Sequence, residues 1–114
     1  MSDERQLGLL RDILDSALAV RTYVHGISRE QFLANREKQD AVLRRLEIIG
    51  EAASRLSPET KGLFPELPFR AMRGMRNVIA HDYGAVDVQQ VWATATGSMD
   101  ALIAALTPHV SSGN

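Results

Sequence analysis

The chain has 114 residues, a length that fits one compact domain with a single hydrophobic core. Its 45% hydrophobic and 24% charged residues are ordinary for a globular protein, and the formal net charge of -1 gives no overall attraction to a polyanion. The absence of cysteine excludes a disulfide framework, a thiolate nucleophile and a cysteine-ligated zinc site. We therefore expect one domain over 1–114, in which any affinity for nucleic acid comes from a local basic cluster.

The N-terminal residues predict neither a signal peptide nor a membrane anchor. They include the acidic pair Asp3 and Glu4, and no apolar core of a signal peptide follows. The sequence also lacks a run of about 18 apolar residues that could span a bilayer. Together with the lack of cysteine, this predicts a soluble, cytoplasmic protein with no membrane partner.

The first predicted helix begins near Leu7 and ends near Gly26. Its apolar residues recur at steps of three and four, the spacing of one buried stripe. Gly26 can adopt the left-handed conformation that commonly ends a helix. Ser28 and Gln31 have the spacing of a capping box, which predicts a short second helix directly after it.

A long third helix is predicted after Asn35, because apolar residues again alternate at steps of four and three. The stretch 57–68 contains three of the four prolines, and we interpret it as a turn or irregular loop. A fourth helix is expected from about Pro68 to about His81. A last helix is capped by Asp87 and Gln90 and carries one apolar stripe to Leu106.

The predicted fold is all-α: an antiparallel helical bundle of four long helices plus one short helix. No segment alternates with the period of two that a half-buried strand would show. Pro108 and the small polar residues after it predict a flexible tail over 108–114.

The fourth predicted helix carries an unusual cation. On a wheel of about 100° per residue, Arg76 falls between the apolar residues Phe69 and Met72. Burying this charge without a partner would be strongly unfavourable, so Arg76 either pairs with a carboxylate or faces a wet cleft or a subunit interface. From residue type alone, a structural salt bridge to Glu47 or Glu51 is the favoured interpretation.

Further polar residues extend this pattern along the same segment. Arg70 and Arg73 lie one turn apart and could bind RNA phosphates, although such a stripe is commonly only a solvated face. His81 could cap the helix or act as a general acid or base near neutral pH. On a regular helix Arg76 and His81 would lie roughly 140° apart, so their convergence requires the helix to end or a two-fold dimer to form.

No His-x3-His pair is present and Asp82 is expected to be solvated, so we expect no metal site and no cofactor.

Residues 68–83 resemble the signature of HepT-like proteins, a branch of the HEPN superfamily. The core of that signature, R-x4-H-x-Y, is matched by Arg76, His81 and Tyr83, with Asn77 after the arginine as the family commonly has. Residues 45–52 and 86–87 resemble the family in residue type and spacing. The resemblance covers the whole predicted bundle and implies a single HepT-like HEPN domain over 1–114.

This resemblance implies a metal-independent endoribonuclease that acts as the toxin of a type II/VII-like toxin–antitoxin system. Arg76 and His81 would be catalytic, and Asn77 would orient them. The resemblance also implies a homodimer whose motifs face one cleft, and a minimal nucleotidyltransferase antitoxin that neutralises the toxin by binding or by transferring AMP to Tyr83. The alternative is a non-catalytic nucleotide-binding or adaptor HEPN module that partners a nucleotidyltransferase, against which the intact motif argues.

Overall fold

A computed structural model of the chain describes residues 3–74 and 87–111. Within these ranges the backbone forms seven helical segments and no strand, which confirms the predicted all-α class. No helix there is both long enough and apolar enough to cross a membrane. The helices are α1 Asp3–Val24, α2 Arg29–Leu33, α3 Arg36–Ser54, α4 Pro58–Lys61, α5 with described residues 69–74, α6 Val88–Gly97 and α7 Met99–Ser111.

Helix α1 is the centre of the bundle and packs mainly against α3 and α7. Ile13 and Ala17, which belong to the stripe predicted by the spacing, are at most 1% exposed, and Val20 is fully buried beside them. Burying a side chain of the size of isoleucine or valine contributes about 1.5–3 kcal/mol. The contacts of α1 with α3 and α7 therefore carry a large share of the stability of the domain.

The predicted connection between α1 and α2 is confirmed. Gly26 has a φ of 77°, the left-handed conformation expected at the end of α1. Ser28 Oγ accepts a hydrogen bond from the Gln31 amide at 3.1 Å, and Gln31 Oε1 accepts one from the Ser28 amide at 2.8 Å. This reciprocal capping box fixes the start of α2.

The stretch 57–68 is partly helical, which corrects the predicted turn or irregular loop. Ser57 Oγ accepts from the Thr60 amide at 3.1 Å, and Pro58 occupies the first turn of α4. Proline is tolerated there because the missing N–H would have no partner inside the helix. One helical turn therefore forms before Gly62 ends it.

The single last helix predicted after Asp87 is wrong, because the chain breaks into α6 and α7 at Ser98. Gly97 and Ser98 are poorer helix formers than alanine or leucine. In the preceding turn, the Thr96 hydroxyl donates to the Trp92 carbonyl at 2.8 Å, a type of bond that often bends helices. The apolar stripe continues across the break, which is why periodicity alone predicted one helix.

The end of α7 also differs from the predicted flexible tail over 108–114. The helix continues through Pro108 to Ser111. Leu106 is fully buried and Val110 is 5% exposed, and the His109 ring packs edge-on against Phe64 with the centroids 4.7 Å apart. These contacts offset the cost of proline in a helix, about 3 kcal/mol.

Four polar side chains are buried among the described residues, and three have hydrogen-bond partners. Gln39 Nε2 donates to the carbonyls of residues 32 and 33 at 3.0 Å each, and Gln6 Oε1 accepts from the Ser57 amide at 2.8 Å. Thr60 Oγ1 accepts from the Ser57 hydroxyl at 2.9 Å. Ser16 is fully buried on α1, and its Oγ has no partner in the described part of the chain.

We predict that Ser16→Ala raises the free energy of unfolding by about 1 kcal/mol. An unpaired buried hydroxyl costs about 1–3 kcal/mol, and alanine fills nearly the same space. Urea denaturation measures the change. Ser54→Ala is the control, because the exposed Ser54 hydroxyl donates to the Glu51 carbonyl at 2.7 Å. If Ser16→Ala stabilises no more than Ser54→Ala, then the Ser16 hydroxyl is satisfied in solution.

Candidate active site

The residues predicted to be catalytic or modified lie outside the described residues. Arg76, Asn77, His81 and Tyr83 all belong to the segment 75–86, which connects α5 to α6. Their predicted roles therefore remain predictions. The structure does describe the surfaces on which this segment begins and ends.

Arg70 and Arg73, the predicted phosphate-binding residues, are exposed on α5. Neither forms an ion pair within residues 3–74 and 87–111. By contrast, Arg44 Nη1 lies 2.9 Å from Glu47 Oε1. The guanidinium groups of Arg70 and Arg73 can therefore bind phosphate without first breaking a described salt bridge.

Glu47 and Glu51, the carboxylates considered as partners of Arg76, are paired with Arg44 of α3 and with Arg55, which caps the end of α3. Glu47 accepts from Arg44, and Glu51 Oε1 lies 3.0 Å from Arg55 Nη2. They line a groove of about 260 Å³ between α1 and α3. Nowhere in the described ranges do three histidine, aspartate or glutamate side chains gather in a way that could hold a metal ion. The salt bridge predicted for Arg76 itself stays a prediction.

A larger cleft of about 440 Å³ lies among α3, α5, α6 and α7. Its apolar floor comes from Leu46 and Ile49 of α3 and Leu102 of α7, each at most 4% exposed. Half-buried Met72 and exposed Ala71 contribute from α5. The floor of the cleft is therefore apolar and largely buried, and Ala71 and Met72 of α5 are its more accessible apolar residues.

One wall of this cleft is polar. Gln90, Thr94 and Ser98 lie four residues apart and therefore on one side of α6. Gln90 Nε2 donates to Thr94 Oγ1 at 3.4 Å. The sequence predicted Gln90 as a capping partner of Asp87, but Asp87 Oδ1 accepts from the Gln89 amide at 2.9 Å, and the described bond of Gln90 runs to Thr94 instead.

Sequence reasoning did not identify this polar wall. A stripe of polar residues at spacing four beside an apolar stripe ordinarily indicates the solvated side of a helix. The available signal was the pair of weak helix formers Gly97 and Ser98, which marks the point where α6 turns into α7.

The cleft and the two arginines adjoin both ends of the motif segment. Met72 precedes residue 75 by three positions in the sequence, and Gln90 follows residue 86 by four. Arg70 and Arg73 flank Ala71 and Met72 along α5. Cleft residues therefore lie close to the motif along the chain at both junctions, and the two arginines lie close to it at the α5 junction.

Sequence comparison places the chain in a family. The all-α bundle is of the HEPN-like type, and a sequence model of the family described as "Ribonuclease HepT-like" matches residues 13–108. This match extends from α1 to α7 and includes the segment 75–86. The chain belongs to the HepT-like ribonuclease family.

Several curated relatives support this assignment. A protein of Thermococcus cleftensis named "Probable ribonuclease HepT" is 38% identical over 93 residues, which cover 82% of this chain and 84% of that protein. A protein of Methanocaldococcus jannaschii named "Putative RNase MJ1380" is 36% identical over 92 residues, which cover 81% and 84%. No solved structure matches the chain.

Proposed function

We propose that the chain is an endoribonuclease that cleaves RNA without a metal ion and acts in the cytoplasm as the toxin of a toxin–antitoxin system. The observation that carries this proposal is the family match over residues 13–108, which contains an intact motif of Arg76, Asn77, His81 and Tyr83. The relatives named as ribonucleases support the same reaction class.

In the proposed reaction, the ribose 2′-oxygen attacks the adjacent phosphorus and the bond from phosphorus to the 5′-oxygen breaks. His81 accepts the proton of the 2′-hydroxyl and, as the imidazolium, donates a proton to the leaving 5′-oxygen. Arg76 stabilises the negative charge that develops on the phosphoryl oxygens, and Asn77 orients the reacting groups. Single-stranded or looped RNA is the favoured substrate, because in-line attack requires a flexible backbone.

Arg70 and Arg73 are proposed to hold flanking phosphates of the RNA. They are exposed and have no described ion-pair partner, so phosphate binding does not compete with an existing salt bridge. Arginine suits this role because its planar donors match two phosphate oxygens.

The working unit is proposed to be a homodimer controlled by a minimal nucleotidyltransferase antitoxin. On a regular helix Arg76 and His81 would point in different directions, and a two-fold axis would supply complementary groups from both copies. The antitoxin would transfer AMP to the Tyr83 hydroxyl. The added phosphate could then occupy the position intended for the RNA backbone.

We predict that Arg76→Ala and His81→Ala each abolish measurable RNA cleavage while the helical circular dichroism spectrum stays unchanged. General acid–base catalysis contributes about 10²–10⁴-fold, and a charge-stabilising donor about 10²–10³-fold. Cleavage of total RNA by the wild type, with and without EDTA, is compared with both variants, and light scattering checks that the oligomeric state is retained.

Wild-type activity that EDTA removes and a divalent ion restores would contradict the metal-independent mechanism. Binding of RNA without any cleavage by the wild type would instead support the adaptor alternative.

We predict that the double variant Arg70→Gln/Arg73→Gln weakens RNA binding and reduces its salt dependence. Each phosphate contact to a single strand contributes about 0.7 to the slope of log affinity against log salt, so two contacts contribute about 1.4. Fluorescence anisotropy with a 2′-O-methyl RNA, which cannot be cleaved through its 2′-oxygen, measures this slope. Arg21→Gln/Arg29→Gln removes the same charge from two described ion pairs and serves as the control. Equal slopes for the two double variants would mean that only net charge matters.

We predict that coexpression with the minimal nucleotidyltransferase adds AMP to the wild type but not to Tyr83→Phe. Intact mass spectrometry measures the addition. Tyr23→Phe is the matched control, because Tyr23 is the other of the two tyrosines and lies on α1 with Lys38 Nζ 6.0 Å from its ring centroid. AMP on Tyr83→Phe, or its loss from Tyr23→Phe, would place the modification elsewhere.

A further inference from the structure

The cleft among α3, α5, α6 and α7 has the size of a ligand site. Its volume of about 440 Å³ lies within the range of about 300–1,000 Å³ typical of small-molecule pockets. The surrounding described residues are mostly apolar, and a few polar groups lie on one side. This division between an apolar floor and a polar wall restricts the chemistry of the ligand.

The polar wall offers both hydrogen-bond donors and acceptors. The Gln90 amide has two N–H donors and a carbonyl acceptor, and the Thr94 hydroxyl can donate and accept. Their mutual bond is long, at 3.4 Å, so exchange for ligand contacts would cost little. A purely aliphatic ligand would leave these groups unused, whereas a flat heterocycle with a polar edge would use them.

Charge separates the inside of the cleft from its surroundings. Among the described residues that line the cleft, Glu66 is the one with a charged side chain. Its carboxylate disfavours a phosphate within the cleft. Arg70 and Arg73 lie outside the lining, yet they neighbour the lining residues Ala71 and Met72 along α5. A ligand that carries a neutral flat group and an adjacent phosphate fits this distribution.

We propose that this cleft binds one unpaired nucleobase of the RNA substrate, with the base on the apolar floor and its edge against Gln90 and Thr94, while the adjoining phosphate contacts Arg70 or Arg73. The inference rests on the proposed ribonuclease function and adds a base preference to it. The thioether of half-buried Met72 supplies polarisable, apolar contact to the base face. The hydrogen bonds to the base edge supply the discrimination among bases.

Two alanines of α7 provide a matched test. Ala101 and Ala104 are both exposed, but only Ala101 belongs to the described lining of the cleft. Ala101→Phe should fill the cleft, and Ala104→Phe should add the same side chain away from it. Circular dichroism and light scattering on both variants check the fold and the oligomeric state.

The first measurement is binding, which does not depend on cleavage. Methyl resonances of wild-type protein are followed by NMR during titration with each of the four nucleoside 5′-monophosphates and with ribose 5-phosphate. We expect Met72, Thr94 and Leu102 to shift with at least one nucleotide and not with ribose 5-phosphate. Ala101→Phe should abolish these shifts, and Ala104→Phe should retain them. Equal shifts with ribose 5-phosphate, or retained shifts in Ala101→Phe, would overturn the proposal.

The second measurement is base preference during cleavage. We expect kcat/KM to differ among RNAs that vary at one position, and Thr94→Val to reduce this difference about tenfold, the order of one lost base contact. Unchanged preference in Thr94→Val and Ala101→Phe, with normal cleavage, would refute the base site and leave the ribonuclease function standing.

Nucleotide-induced NMR shifts without any RNA cleavage by the wild type would support the base site and refute the ribonuclease function. Conversion of a dimer to a monomer by Ala101→Phe, without nucleotide shifts in the wild type, would identify the cleft as a surface between two copies and overturn the proposal.

Discussion

The burial of α1 against α3 and α7 is the contact on which the other features of the domain depend. Ala17 at its centre is fully buried, and a side chain this small lets neighbouring helices approach closely. Close approach fixes α3 and α7 relative to each other through a shared partner. Leu46 and Leu102 then face one space from these two helices and supply the apolar floor of the cleft, whereas α5 and α6 supply its edges.

The break at Ser98 turns a stabilising helix into part of a candidate site. A continuous helix from Val88 to Ser111 would carry Gln90 and Thr94 along the direction of α7. With the break, α6 contacts α1, α2 and α3 as well as α7, and its polar side borders the apolar floor. The weak helix formers at the corner therefore cost local stability but give the cleft two chemically different sides. Loss of regular structure at functional positions is a common compromise in natural proteins.

Local signals in the sequence predicted much of the fold. The helix ends at Gly26, Ser28 and Asn35 were correct because caps act within a few residues. The continuation of α7 through Pro108 was missed because it depends on contacts of Val110 and His109 with residues far away in the chain. The cleft was missed for a related reason: its lining comes from four helices, and each residue is ordinary within its own helix. The motif came from family resemblance, since residue type alone favoured a structural salt bridge for Arg76.

Charge distribution explains how a chain with a net charge of -1 can have a surface suited to a polyanion. Several arginines away from α5, among them Arg21, Arg36 and Arg44, lie within 3.5 Å of a carboxylate, so much of their field is cancelled locally. Arg70 and Arg73 have no such described partner, and their charge is not cancelled in this way. At physiological ionic strength, screening acts over about 8 Å, so acidic residues on the far side of a domain 42 Å long contribute little at α5. Among the described residues, the potential that an approaching phosphate meets there is therefore set by local charges, the cations of Arg70 and Arg73 and the carboxylate of Glu66, and the net charge of the chain is a poor guide to it.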